Sequence, residues 1–202
     1  MSAKRLFDMC LSSLGLIIST TLWVTITLAI KAEDGGPVFY FQERVGKGGR
    51  IFKLLKFRSM IVDAEKETGA VQATAHDPRV LRVGRLLRAT AMDELPQLVN
   101  ILKGDMSFVG PRALRPLERE VLGNSDVLAI EQIPGYDQRL AVTPGLTGLA
   151  QVYLPSDAPR RKKFRYDILY IRRRSFMFDL KLILLSFLIT FRGKWEYRGK
   201  KV

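Results

Sequence analysis

Cysteine and histidine are nearly missing from this chain: Cys10 and His76 are the single examples among 202 residues. An intrachain disulfide is excluded, which fits a reducing compartment. Metal clusters built on His and Cys are excluded as well. Acid–base chemistry near neutral pH loses its usual side chain, since His76 sits in the loop signature AHDPR and reads as incidental. Cys10 borders an apolar run and reads as a small packing residue. The Gly-rich turn Gly46–Gly49 lacks the Gly-Lys-Ser/Thr ending of a nucleotide-binding P-loop. There is no internal repeat, no low-complexity linker and no Asp-x-Asp pattern of the kind soluble aspartyl phosphatases use.

What the chain has is basic charge and apolar length. Lys and Arg number 33 against 20 Asp and Glu, a net charge of +13. That excess favours a polyanionic partner: nucleic acid, an anionic membrane surface or a phosphate-rich substrate. The basic stretches lack interleaved aromatic residues for base stacking, so nucleic acid is the weakest of the three. A non-enzymatic basic membrane-associated protein, binding nucleic acid or anionic lipid, is the alternative from a different functional class. A hydrophobic fraction of 47% suffices for one packed domain.

Leu11–Ile30 contains no charged side chain. Twenty helical residues reach about 30 Å, the hydrocarbon thickness of a bilayer. The run ends in KAEDGG instead of a small-residue cleavage site, which argues against a signal peptide. Basic residues flank both ends (Lys4, Arg5 and Lys31), so charge alone does not orient it. Mid-run Ser19, Thr20 and Thr21 can bond back to the helix and bend it. The expected partition is a membrane-embedded helix over 1–32 and a catalytic domain over 33–202.

Beyond it, Val38–Gln42 and Ile51–Lys56 read as a small β-hairpin. Asp63–Pro78 reads as a short helix and a loop, and Arg79–Thr90 as a helix. Asp93–Lys103 reads as a helix with Leu95, Leu98, Val99 and Leu102 on its apolar face and Pro96 in its first turn. SFVGPR is a strand-to-turn segment, Leu114–Leu122 a helix, and Pro134–Gly148 an ordered loop. Arg160–Arg174 holds eight Lys or Arg, and Ser175–Phe191 is apolar apart from Asp179 and Lys181. Leu182–Phe191 is too short to span; an interfacial helix and a core-packing helix fit the segment equally.

Without histidine or cysteine, carboxylates and basic residues remain, a set suited to phosphoryl transfer. Asp93-Glu94 is the leading pair. Spacing alone favours a helix cap, but Arg85, Arg88 and the Gly110-Pro111-Arg112 turn could supply phosphate contacts through Arg forks. Carboxylates also act as covalent nucleophiles in aspartyl-phosphate chemistry.

Lys4–Asp8, KFRSM (56–60), DELPQLVNILKGDMSFVGPR (93–112), TPGLTGLAQV (143–152) and YDILYIRRRSFMFDLKL (166–182) together resemble the bacterial sugar transferase family, the monotopic phosphoglycosyl transferases. The resemblance runs in order across nearly the whole chain, in the small catalytic form. It implies an α/β fold, mostly helical with a small β-hairpin, carrying an N-terminal re-entrant membrane helix and interfacial amphipathic helices. It implies transfer of a sugar-1-phosphate from a UDP-sugar to undecaprenyl phosphate at the cytoplasmic face of the bacterial inner membrane, initiating glycoconjugate assembly. Asp93 would be the nucleophile, forming a phosphosugar-aspartyl intermediate and releasing UMP. Glu94 would place Mg2+ or the acceptor, with Asp93 and Glu94 as the metal candidates. Arg88 and Arg112 match positions near the phosphates. Lys56 and Arg58 are further phosphate candidates, with Asp167 and Gln97 in support; Asp167 could instead pair with neighbouring arginines. Membrane lipids are expected partners, nucleic acid is not, and a homodimer is compatible with this class. Two departures stand out. Thr21-Leu22 occupies the place of a helix-breaking Ser-Pro, although re-entry would keep Lys4-Arg5 beside the catalytic domain. Ala113 stands where proline is common. Sugar specificity is expected in Leu114–Tyr136 and Pro155–Lys163.

Overall fold

The computed structural model describes residues 2–64, 66, 77–121, 127–193 and 195. His76 and most of the polar stretch after Asp63 lie outside them.

Helix α1 (Ala3–Asp34) opens on Ser2, whose hydroxyl accepts from the Arg5 N–H, and closes on Gly35 in the left-handed conformation. Its 32 residues reach about 48 Å. The Ser12, Ser19 and Thr20 hydroxyls donate to carbonyls of their own helix, so they add no unmet polar group to an apolar surface. Thr21-Leu22 does not interrupt the helix. Both ends are nevertheless bound to the rest of the chain. Near the start, Arg5 donates to the Ile101 and Leu102 carbonyls, and Asp8 accepts from the Phe108 N–H at 3.1 Å. Near the end, Glu33 accepts from the Arg82 and Val83 N–H groups at 2.6 and 2.9 Å. Asp34 pairs with Arg58. Cys10 is exposed, correcting the reading of it as a packing residue.

The hairpin forms as expected but longer: β1 (Phe39–Val45) pairs antiparallel with β2 (Ile51–Phe57), from Phe39↔Phe57 to Val45↔Ile51. Its turn is a 3-10 segment with Gly48 and Gly49 at positive φ. Helix α2 spans Arg82–Ala89, shorter than 79–90, because Val80 bridges Met60 and Arg79 is held by Asp77. Glu33 serves as the anionic cap of α2.

The expected helix over Asp93–Lys103 is two elements: a 3-10 turn at Met92–Glu94, then α3 (Gln97–Lys103) after Pro96. The buried face of α3 is Gln97, Leu98, Asn100 and Ile101; Leu95, Val99 and Leu102 are half-buried. Arg5 sits on carbonyls at the C-terminal end of α3, where a cation is favoured. Strand β3 (Ser107–Val109) follows. The helix expected over Leu114–Leu122 is absent from its described residues. Pro116 and the positive φ of Leu117 break it, and Arg119–Val121 forms β4 against β5 (Val127–Ala129). The Pro134–Gly148 loop contains a short helix, α4 (Tyr136–Leu140), and a strand, β6 (Gly145–Thr147), parallel to β3. Then come α5 (Leu149–Tyr153), α6 (Arg160–Arg173) and α7 (Phe176–Phe191).

Helix α7 packs into the core on one side, as one of the two expectations had it, and leaves an apolar side exposed. Leu182, Ile183 and Ile189 enter the main core with Leu98, Ile101 and Val152. Leu184, Phe187, Leu188 and Phe191 on its other side stay exposed, as do Leu14, Ile17, Ile18, Val24 and Leu28 of α1. Apolar exposure of this extent marks a surface made for a non-aqueous neighbour, and α1 is long and apolar enough to cross a membrane. A charged clamp joins the two helices. Lys4 pairs with Asp179 and donates to the Val109 carbonyl at 3.1 Å. Tyr170 donates to Asp179 at 2.7 Å, and its hydroxyl also lies 3.2 Å from the Val109 carbonyl.

Candidate active site

The site begins with a backbone irregularity. Ala91, between α2 and the 3-10 turn, has φ 54° and ψ 17°, a left-handed conformation that costs a residue with a Cβ about 1–2 kcal/mol. It turns the chain so that the next residues, Asp93 and Glu94, point into the protein, where they are 7% and 5% exposed. The Ala91 carbonyl accepts from the Glu94 N–H at 3.0 Å.

Two basic residues meet these carboxylates from different directions. Lys56, near the end of β2, places Nζ 2.8 Å from Glu94 Oε1 and 3.7 Å from Asp93 Oδ2. Its strand is fixed by Asn100 of α3, which accepts from the Leu55 N–H at 3.0 Å and donates to the Lys53 carbonyl at 2.8 Å. Arg112 places Nη2 3.1 Å from Glu94 Oε1. Burial alone would push the Glu94 carboxyl up. The Lys56 ammonium and Arg112 guanidinium outweigh it and hold the group at about 2, ionised at any physiological pH. Glu94 Oε2 is buried without a protein partner.

Arg112 is aimed by close backbone packing. Strand β6 and the start of α5 press against Gly110: a Cβ on Gly145 would lie 2.0 Å from the Gly110 nitrogen, and one on Gly148 2.2 Å from the Gly110 carbonyl oxygen. This is why the TPGLTG segment carries glycine at both places. Arg139 of α4 then donates to the Arg112 carbonyl at 2.8 Å, while its Nε binds Asp167 at 2.7 Å and its guanidinium lies over the Phe164 ring. Asp167 is thus in a buried ion pair, with its carboxyl pushed up by burial against the pull of Arg139. It acts on the site through Arg139.

The structure therefore brings Lys56, Asp93, Glu94 and Arg112 together. Gln97 is buried in the first turn of α3 and lines a small cavity of about 10 Å³, open to solvent, with Lys56, Arg112, Ala113 and Arg44. Arg88 is half-buried in the last turn of α2, which packs on the 3-10 turn carrying Asp93. Arg58 is placed differently. Its guanidinium is engaged by Asp34 and by the Pro37 and Met60 carbonyls, so its partners belong to the end of α1.

Three contributors were not singled out from sequence. Asn100 had no signal beyond polarity within an apolar helix. Arg139 lay among Pro and Gly with no periodicity to place it. Arg44 lay beyond the expected strand Val38–Gln42, and only the longer β1 places it in register with the site. Its Nη1 donates to the Ala113 carbonyl at 2.9 Å and its Nη2 to Gln42, while its Nε–H is buried without an acceptor. A buried orphan donor of this kind costs about 1–3 kcal/mol. Burial, with the positive charges of Arg112 and Arg115, pushes Arg44 down to about 9.

For a metal, the described residues contain no group of three or more His, Cys, Asp or Glu side chains. Two adjacent carboxylates with one unmatched buried oxygen do suit a hard cation that takes its other ligands from phosphate and water, as Mg2+ does.

Residues 1–193 match the profile of the bacterial sugar transferases. A Bacillus subtilis (strain 168) relative, whose name proposes an undecaprenyl-phosphate N-acetylgalactosaminyl 1-phosphate transferase, is 49% identical over 140 residues, 69% of this chain and 74% of that one. The UDP-glucose:undecaprenyl-phosphate glucose-1-phosphate transferase of Klebsiella pneumoniae is 41% identical over 199 residues, 96% of this chain but 41% of its own length. The exopolysaccharide production protein PSS of Rhizobium leguminosarum bv. phaseoli is 39% identical over 185 residues, 89% of this chain and 90% of its own. The chain thus spans most of the Bacillus and Rhizobium proteins and about two fifths of the Klebsiella one.

Proposed function

Because the chain belongs to the bacterial sugar transferase family, a family of transferases, we propose that it moves a sugar-1-phosphate from a UDP-sugar to undecaprenyl phosphate through a covalent intermediate on Asp93. The observation that carries this reading is the buried Asp93-Glu94 pair facing Lys56 and Arg112. In the first step an Asp93 carboxylate oxygen attacks the phosphorus bonded to the sugar. The bond from that phosphorus to the bridging oxygen breaks, and UMP leaves with the bonding electrons. In the second step a phosphate oxygen of the lipid attacks the same phosphorus, the acyl phosphate bond breaks, and the Asp93 carboxylate returns with a polyprenyl diphosphate sugar as product.

Lys56 and Arg112 hold Glu94 ionised and offset charge on the phosphates. Asp93 and Glu94 are the residues that would hold Mg2+, with Glu94 Oε2 the ready ligand; when bound, the ion neutralises phosphate charge. The exposed apolar faces of α1 and α7 seat the protein in the cytoplasmic leaflet of the inner membrane. Because both ends of α1 bind the same body, both lie on the cytoplasmic side, as in a re-entrant arrangement, and the unbroken helix turns its exposed apolar face into that leaflet. The exposed Arg172, Arg173 and Arg174 at the C-terminal end of α6 meet anionic headgroups.

The test is intact-mass and peptide mass spectrometry after incubation with a panel of UDP-sugars lacking acceptor. A sugar-phosphate adduct on the peptide containing Asp93, discharged by polyprenyl phosphate, is expected for one donor. Product formation without any such adduct would sink the covalent route.

A further inference from the structure

The proposed reaction gives Lys56 and Arg112 a role and leaves Arg44 without one. Arg44 stands on β1 and lines the same cavity as Lys56, Gln97 and Arg112. Two of its three nitrogens are held by Ala113 and Gln42, and the third, Nε, has a buried N–H with no acceptor. The charge around it is unbalanced. Arg112 and Arg115 repel it, and the carboxylates that could offset it are already engaged. Glu118 receives Arg160 and the Arg115 N–H, and Glu94 receives Lys56 and Arg112. A neutral sugar hydroxyl could accept from Nε but would leave the repulsion between guanidinium groups untouched. A phosphate oxygen answers both at once.

We propose that Arg44 is a third phosphate-binding cation of the transfer site, whose Nε–H donates to a phosphate other than the one attacked by Asp93. That phosphate is either the one leaving in the nucleoside monophosphate or the one on the lipid acceptor. The inference rests on the function proposed above, and its test separates the two sources. Arg44→Met keeps the aliphatic stem and removes charge and donors; Arg44→Lys restores charge without the Nε–H. Adduct formation on Asp93 is followed against donor concentration without acceptor, and discharge of preformed adduct against polyprenyl phosphate concentration in detergent. Binding without chemistry is read by thermal shift, with UMP or a short polyprenyl phosphate as probe, in Asp93→Asn and in Asp93→Asn/Arg44→Met.

An increase of about 10- to 100-fold in the concentration dependence of one half-reaction is expected for Arg44→Met, with part of it recovered in Arg44→Lys. The matching probe should lose its thermal shift. A defect confined to adduct formation and UMP assigns the leaving phosphate; one confined to discharge and the lipid probe assigns the acceptor. No change in either half-reaction overturns the proposal. So does an equal loss of rate in both with unchanged concentration dependence and a lowered melting temperature, the signature of Arg44 merely bracing Ala113. If Arg44→Met fails to fold, Arg44→Lys carries the same arms and must itself shift one concentration dependence. Failure of the wild type to form an adduct would remove Asp93 as nucleophile while leaving the probe-binding comparison readable.

Discussion

Two clusters of buried charge in this molecule, the clamp between α1 and α7 and the candidate active site, are completed differently. In the clamp between α1 and α7, Asp179 receives Lys4 and Tyr170, and the Val109 carbonyl receives Lys4 within reach of the same Tyr hydroxyl. Asp8 nearby is matched to the Phe108 N–H. At the candidate active site, Glu94 keeps one oxygen without a partner and Arg44 one N–H. A strained Ala91 holds the carboxylates in place. Buried polar groups in folded proteins are nearly always matched, so two exceptions on residues that share Arg112 as a neighbour point to a place where a ligand can complete the set. The clamp needs no ligand and works as structure.

That contrast can be broken experimentally. The largest effect is expected from Asp93→Asn, which should lower turnover by at least about 10³-fold with little change in melting temperature; a stability loss with retained activity would reverse the two regions' roles. Asp179→Asn should do the opposite. It should cost about 2 kcal/mol of stability in denaturant unfolding, discounted because Lys4 is partly exposed, and leave turnover per folded molecule within a few-fold. Glu94→Gln sharpens the comparison through pH. The Glu94 carboxyl is held at about 2 when folded, below its usual range, so its contribution is full above about pH 4.5. It is lost as pH falls toward 2. The wild type should therefore lose stability across that interval in excess of Glu94→Gln; parallel acid limbs would contradict the assignment. The smallest effect is expected from Ala91→Gly. Relief of the left-handed strain should raise stability by up to about 1 kcal/mol, while a looser turn lowers turnover several-fold. A fall in stability would show that the strain is not located there.

Much of this was legible in the residues themselves. The charge-free stretch announced α1, aromatic and apolar runs around Gly46–Gly49 announced the hairpin, and the Asp93-Glu94 pair with the Gly110-Pro111-Arg112 turn pointed to the carboxylates and their arginine. What could not be read depends on tertiary partners. Ala91 carries no local sign that it will adopt positive φ and turn the chain between α2 and the 3-10 segment, and Pro96, which lacks an N–H, separates that segment from α3 where one helix was expected. Leu114–Leu122 had helical composition, but Leu114 bridges Val45 and Arg119–Val121 finds a strand partner. Arg58 sits in a basic motif shared with Lys56, yet Asp34 reaches it from 24 residues away. The close approach of Gly110 to Gly145 and Gly148 explains a motif whose spacing alone says nothing of a contact.

The binding of α1 at both ends has a consequence for biogenesis. Arg5 waits for carbonyls 96 and 97 residues later in the chain, and Lys4 for a carboxylate 175 residues later. Helix α1 is thus completed only once α3 and α7 have been made. During synthesis its lysine and arginine have no protein partners and must remain hydrated or against lipid headgroups. Closing these contacts carries the entropic cost of distant loop closure, and a nascent chain released before Asp179 is made would keep the Arg5 and Asp8 contacts but lack the Lys4 clamp.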